Sequence, residues 1–116
     1  MAGRVLVPPL TAVRTALLDL PAPSQAMDVA NGNFCPNDAA TVLILLNTDG
    51  AATHTLFVQV VSGIDGVTAG PRQLTIPISA NRKMTGVWPI QFYGNQLFFS
   101  CDSALVLVQA VSLLGP

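Results

Sequence analysis

Thr41-Val42-Leu43-Ile44-Leu45-Leu46-Asn47, closed by Thr48-Asp49-Gly50, is the stretch that decides the fold. A β-branched-rich apolar run of this length, ended by turn chemistry, reads as a buried strand. After a short loop, Thr53-His54-Thr55-Leu56-Phe57-Val58-Gln59-Val60-Val61 alternates in the period-two manner of a half-buried strand. Leu56, Val58 and Val60 share one face with His54, and Thr53, Thr55, Phe57 and Gln59 take the other. The two runs are expected to be adjacent antiparallel strands.

Working outward, Arg72-Gln73-Leu74-Thr75-Ile76-Pro77-Ile78 alternates again. Pro77 cannot donate to a ladder, so this strand is expected at a sheet edge or to end there. Ser79-Ala80-Asn81 is expected as a turn, and Arg82 to Trp88 as a further strand before Pro89. Gln96 to Cys101 and Leu105 to Leu113 read as a closing hairpin around Asp102-Ser103-Ala104. Toward the N-terminus, Asn31-Gly32-Asn33 is a turn signal, and prolines punctuate the chain before it. Residues 11–20 fit a short amphipathic turn or a strand equally well, while residues 1–10 read as an extended arm separate from a body over 11–116. The expected fold is therefore all-β: a single-domain antiparallel sandwich or small barrel, jelly-roll-like, of about seven or eight strands.

Composition narrows the function. The chain has 116 residues, of which 51% are apolar and 9% charged, with a formal net charge of −1. An ordinary soluble domain carries roughly a quarter charged residues. Five scattered cations give no footprint for nucleic-acid binding. The longest uncharged stretch, Met84 to Cys101, contains Pro89, Gly94, Asn95 and two glutamines, so no membrane span is expected. The initial apolar run Val5-Leu6-Val7 is broken by Pro8-Pro9, too short for a secretory signal.

Chemistry leaves little trace. His54 is the sole histidine and there is no glutamate, so no metal or cofactor site and no catalytic residue is assigned. Cys35 and Cys101 read as free buried thiols, and the aspartates as turn formers. Gly63, Gly66 and Gly70 lack the lysine of a phosphate loop. What remains are candidate contact residues. They are Val5, Leu6, Val7, Pro8, Pro9 and Leu10 in the arm, the basic pair Arg82-Lys83, and the aromatics Trp88, Phe92 and Tyr93.

Several of these stretches form a pattern: Asn31-Gly32; Asn37-Asp38-Ala39-Ala40-Thr41 leading into the buried strand; Asn47 closing it; Thr53 to Val60; Ile76-Pro77-Ile78-Ser79-Ala80-Asn81-Arg82; and Trp88-Pro89-Ile90-Gln91-Phe92-Tyr93. From about Asn31 to Leu113 the chain resembles capsid decoration (cement) proteins of tailed bacteriophages and related small β-rich virion proteins. It departs from them at Val87-Trp88-Pro89, where a Gly-Pro-Phe-Pro-like stretch is more usual. The resemblance implies a non-enzymatic protein on the capsid exterior, assembled in the host cytoplasm. Its implied partner is the major capsid protein lattice, and it is expected as a homo-oligomer, a trimer by analogy with proteins on three-fold positions. The arm would lie along a neighbouring subunit, so its removal is expected to leave the body folded. Two further readings are a tail, fibre or head–tail joining component, and a carbohydrate-binding sandwich stacking sugars on Trp88 and Tyr93.

Overall fold

The computed structural model describes residues 4–12, 17–18, 20, 22–61, 63–64, 67–68, 70–78 and 81–113. Its strands are β1 (Val5–Leu6), β2 (Pro9–Thr11), β3 (Gln25–Ala26), β4 (Asn33–Pro36), β5 (Thr41–Asn47) and β6 (His54–Val58). They continue with β7 (Gly63–Ile64), β8 (Val67–Thr68), β9 (Arg72–Ile76), β10 (Lys83–Met84), β11 (Gln96–Cys101) and β12 (Val106–Ser112). One helical turn, α1 (Ile90–Tyr93), precedes β11.

The strands form two packed sheets, an all-β sandwich and not a closed barrel. The first has the order β1-β4-β11-β6-β9 and the second β10-β5-β12-β2, with β3 also on β12; β7 and β8 form a separate small hairpin. Both sheets are mixed. β1 runs parallel to β4 and β2 parallel to β12, while the other pairs are antiparallel.

Alternation explains the core. Leu43 and Leu45 of β5, Leu56 and Val58 of β6, Leu97 and Phe99 of β11, and Val106 and Val108 of β12 all point between the sheets. The opposite face of β5 is also apolar: Val42 and Ile44 pack with Val111 beneath Leu10 and Leu18. A strand covered on both faces reads as a continuous apolar run, which is what Thr41 to Asn47 shows.

The two runs expected as neighbours, 41–47 and 53–61, lie in different sheets. Asn47 turns the chain across: its amide donates to the carbonyls of Ala52 and Pro77, and its Oδ1 accepts from Asp49 N–H. The expected closing hairpin is likewise a crossover, from β11 in the first sheet to β12 in the second. The strand expected over 82–88 shrinks to Lys83–Met84, because Thr85 makes the last contacts with β5 before the chain leaves the sheet. The turn signals at Asn31-Gly32 and Asn37-Asp38 hold. Gly32 has φ +77, and a Cβ there would meet the Arg4 guanidinium at 2.4 Å. Ala39 adopts φ +66, with Asn37 and Asp38 side chains accepting from Ala39 and Ala40 N–H beside it. Pro77 follows an edge strand, as expected. The turn at residues 79–80 and residues 13–16 and 19 of the ambiguous N-terminal stretch lie outside the described residues.

Candidate interaction surface

The residues expected to form a free arm are built into the body. Val5 and Leu6 pair with Asn33 and Phe34, and Pro9, Leu10 and Thr11 pair with Ala110, Val111 and Ser112. Val7 is 1% exposed in the core, Leu10 packs on the outer face of the second sheet, and Pro8 is exposed. Arg4 donates to the carbonyls of Asn33 and Phe99 and stands 5.2 Å from the Phe98 ring centroid. The arm boundary at residue 10 is therefore corrected. Extended apolar residues beside a sheet with open edges pair with their own chain, and among the described residues 4–10 only Val5, Leu6 and Pro8 keep exposed side chains.

Arg82 and Lys83 are exposed, with Arg82 donating to the Leu20 carbonyl and Lys83 paired to Leu45 across β10 and β5. The aromatic trio divides. Trp88 and Tyr93 are 6% and 7% exposed and pack edge to face at 5.0 Å, so neither offers a ring face to solvent. Trp88 Nε1–H donates to the Thr85 hydroxyl, which also accepts from Leu43 N–H and donates to the Gly86 carbonyl. The buried Asn37 amide donates to the Trp88 and Gly94 carbonyls, fixing both ends of the segment. Both rings belong to the buried core cluster and pack there as part of the sandwich interior.

Phe92 is the exception, 47% exposed on the outside of α1. Ile90 and Val87 stand out from the same segment, and Val61 joins them through its N–H to the Phe92 carbonyl. Beside this apolar surface runs a groove of about 350 Å³ between β9 and residues 85–89, lined by Arg72, Leu74, Val87, Trp88, Pro89 and Tyr93.

Elsewhere, the groups with potential chemistry are engaged. His54 Nε2 lies 2.8 Å from Asp49 Oδ2 and its Nδ1 lies 3.0 Å from Asp102 Oδ1. These carboxylates hold the ring's proton, with the hydrogen bond to Asp49 foremost, and raise the His54 pKa. Both ring nitrogens of His54 thus face carboxylates, one on each side of the ring. Cys35 and Cys101 are buried and unpaired, and burial raises both thiol pKa values, Cys35 to about 12. No cluster of three metal-ligating side chains occurs among the described residues.

The aspartate pair around His54 escaped the sequence reading because Asp102 arrives from a crossover far along the chain. The role of Arg4 escaped for the same reason: its partners are fixed by sheet pairing and not by spacing. Compared with family models, curated proteins and solved structures, the chain matches none.

Proposed function

We propose that this chain is a non-enzymatic structural protein of a virion, a decoration protein that binds the outer surface of a phage capsid and stabilises the shell. The observation that carries this reading is the run of exposed apolar side chains Val87, Ile90 and Phe92 in one segment, with Val61 hydrogen-bonded to Phe92, on a domain with few charges. On a freely diffusing monomer such a surface invites aggregation; on a repeating lattice it is covered by neighbours. The motif resemblance supports the same reading. The residues that carry it, Asn37, Asp38, Thr41 and Asn47, lock turns, so the resemblance rests on turn chemistry and not on catalytic groups.

The major capsid protein lattice is the partner in this proposal, with the surface around Phe92 as the contact in place of an N-terminal arm. Co-sedimentation with purified shells tests it: the wild-type chain travels with the shells, and Phe92→Asp with Ile90→Asp stays behind while keeping its β-sheet spectrum. A wild-type chain left in the supernatant overturns the proposal. Reconstruction of the virion separates this reading from a tail, fibre or joining role, since density over the whole shell supports decoration and density at one vertex or along the tail supports the other. The sugar-stacking reading loses its platform with the burial of Trp88 and Tyr93.

A further inference from the structure

Among the described residues β9 is the longest edge strand of the two main sheets; β1, β3 and β10 have two residues each and β2 has three. The direction of its backbone groups follows from the ladder. Gln59 N–H donates to the Phe98 carbonyl, so residues 55, 57 and 59 turn their backbone groups toward β11. His54, Leu56 and Val58 then face β9 and meet Ile76, Leu74 and Arg72. It follows that Gln73 and Thr75 turn both N–H and C=O away from the sheet. Their side chains are exposed, and neither residue makes any other hydrogen bond in the described structure. Pro71 and Pro77 occupy the next two outward positions, where a missing N–H costs nothing. The edge is thus trimmed to two donors between prolines; it carries no lysine or bulge, and its one charge, Arg72, shares the inner face with Leu74 and reaches the Tyr93 hydroxyl.

We propose that the edge of β9 pairs antiparallel with β9 of a second copy, about a two-fold axis at Leu74. This inference stands whether or not the chain attaches to a shell. In that register Gln73 lies opposite the partner's Thr75 and Thr75 opposite the partner's Gln73. All four outward N–H groups of the pair find a carbonyl. Leu74 meets the partner's Leu74 as a non-hydrogen-bonded pair, the closer of the two kinds. Its half-buried side chain points to the inner face, beside the groove over Trp88 and Tyr93. Arg72 falls opposite the partner's Ile76, so like charges are not opposed. In this register Arg72-Gln73-Leu74-Thr75-Ile76 opposes no like charges and leaves no outward N–H unpaired, so a second copy of the chain fits the edge. The contact is isologous, and it gives a two-fold pair in place of the three-fold assembly implied by the resemblance.

The test is the mass of the purified chain in solution, with two variants. The wild type is expected to sediment as a dimer. Thr75→Pro removes an N–H that points out of the fold and so keeps the β-sheet spectrum, but raises the dimer dissociation constant at least ~10-fold through two lost hydrogen bonds. Leu74→Cys is expected to cross-link through residue 74 on mild oxidation, because the facing Cα atoms fall within disulfide range and both native thiols are buried. This second readout holds even where Thr75→Pro fails to fold. A wild type that stays monomeric overturns the proposal, as does an oligomer that survives Thr75→Pro or leaves Leu74→Cys uncross-linked.

Discussion

Asp49 Oδ2 stands 2.8 Å from His54 Nε2, joining the crossover that leaves β5 to the first residue of β6. Asp102, on the crossover from β11 to β12, takes the other ring nitrogen. One imidazole ring therefore ties together two of the connections between the sheets.

This clasp depends on pH in both directions. Below the unfolded His54 value of 6.5 the ring is protonated folded or unfolded, and its contribution is fully present; it fades as pH rises through the raised folded pKa. Asp49 is held below its ordinary 3.8, chiefly by Ala51 N–H and then by His54, so its contribution is lost as pH falls through that lowered value. Melting temperature is expected to peak between these limits and decline on the alkaline side, and His54→Gln should flatten the alkaline decline. An imidazole titration by NMR with a midpoint at or below 6.5 would contradict the clasp.

Asn37 is buried, with its amide on the Trp88 and Gly94 carbonyls and its Oδ1 on Ala39 N–H. Asn37→Ala leaves buried groups without partners and is expected to cost about 3 kcal/mol. Urea unfolding should show the lowered midpoint with an unchanged slope.

Cys35 and Cys101 are expected to be unreactive toward a thiol reagent at neutral pH and to react together once urea unfolds the chain. Burial disfavours the thiolate that such reagents need, most strongly at Cys35. Mass spectrometry of the alkylated protein reads this directly. A rapid single addition to the native chain would show that one thiol is open.

Deletion of residues 1–10 is expected to destabilise the whole body. It removes Val7 from the core, worth about 1.5–3 kcal/mol, together with strand pairing to β4 and β12 and the Arg4 contacts with Asn33 and Phe99. A thermal melt of the truncated chain should shift well below the full one. An unshifted melt would restore the reading of those residues as a separable arm.

The strands themselves were legible wherever alternation and turn chemistry coincide, at 41–47, 54–58, 72–76, 96–101 and 106–112. Their partners were not. A short connection such as Thr48 to Thr53 suits a hairpin and an inter-sheet crossover alike; the amide of Asn47, reaching Ala52 and the distant Pro77, decides between them. Pro77 revealed an edge because its missing N–H has a local meaning. Trp88 and Tyr93 were ambiguous because an aromatic residue suits a core plug and a contact surface equally. The Asn37 amide, held by the Trp88 and Gly94 carbonyls, fixes the segment so that both rings turn into the core.

The pairing of β2 with β12 has a consequence for how the chain is made. Leu10 sits beside Val111, on a strand that also carries the length of β5, so the second sheet has no middle until residues 106–112 are present. A growing chain on the ribosome would hold Thr41 to Asn47 without its full-length partner until residues 106–112 emerge, with only Lys83 and Met84 to pair with before then. Such non-local closure favours slow folding, on the scale of milliseconds to seconds, and exposes the nascent chain to chaperones during that interval.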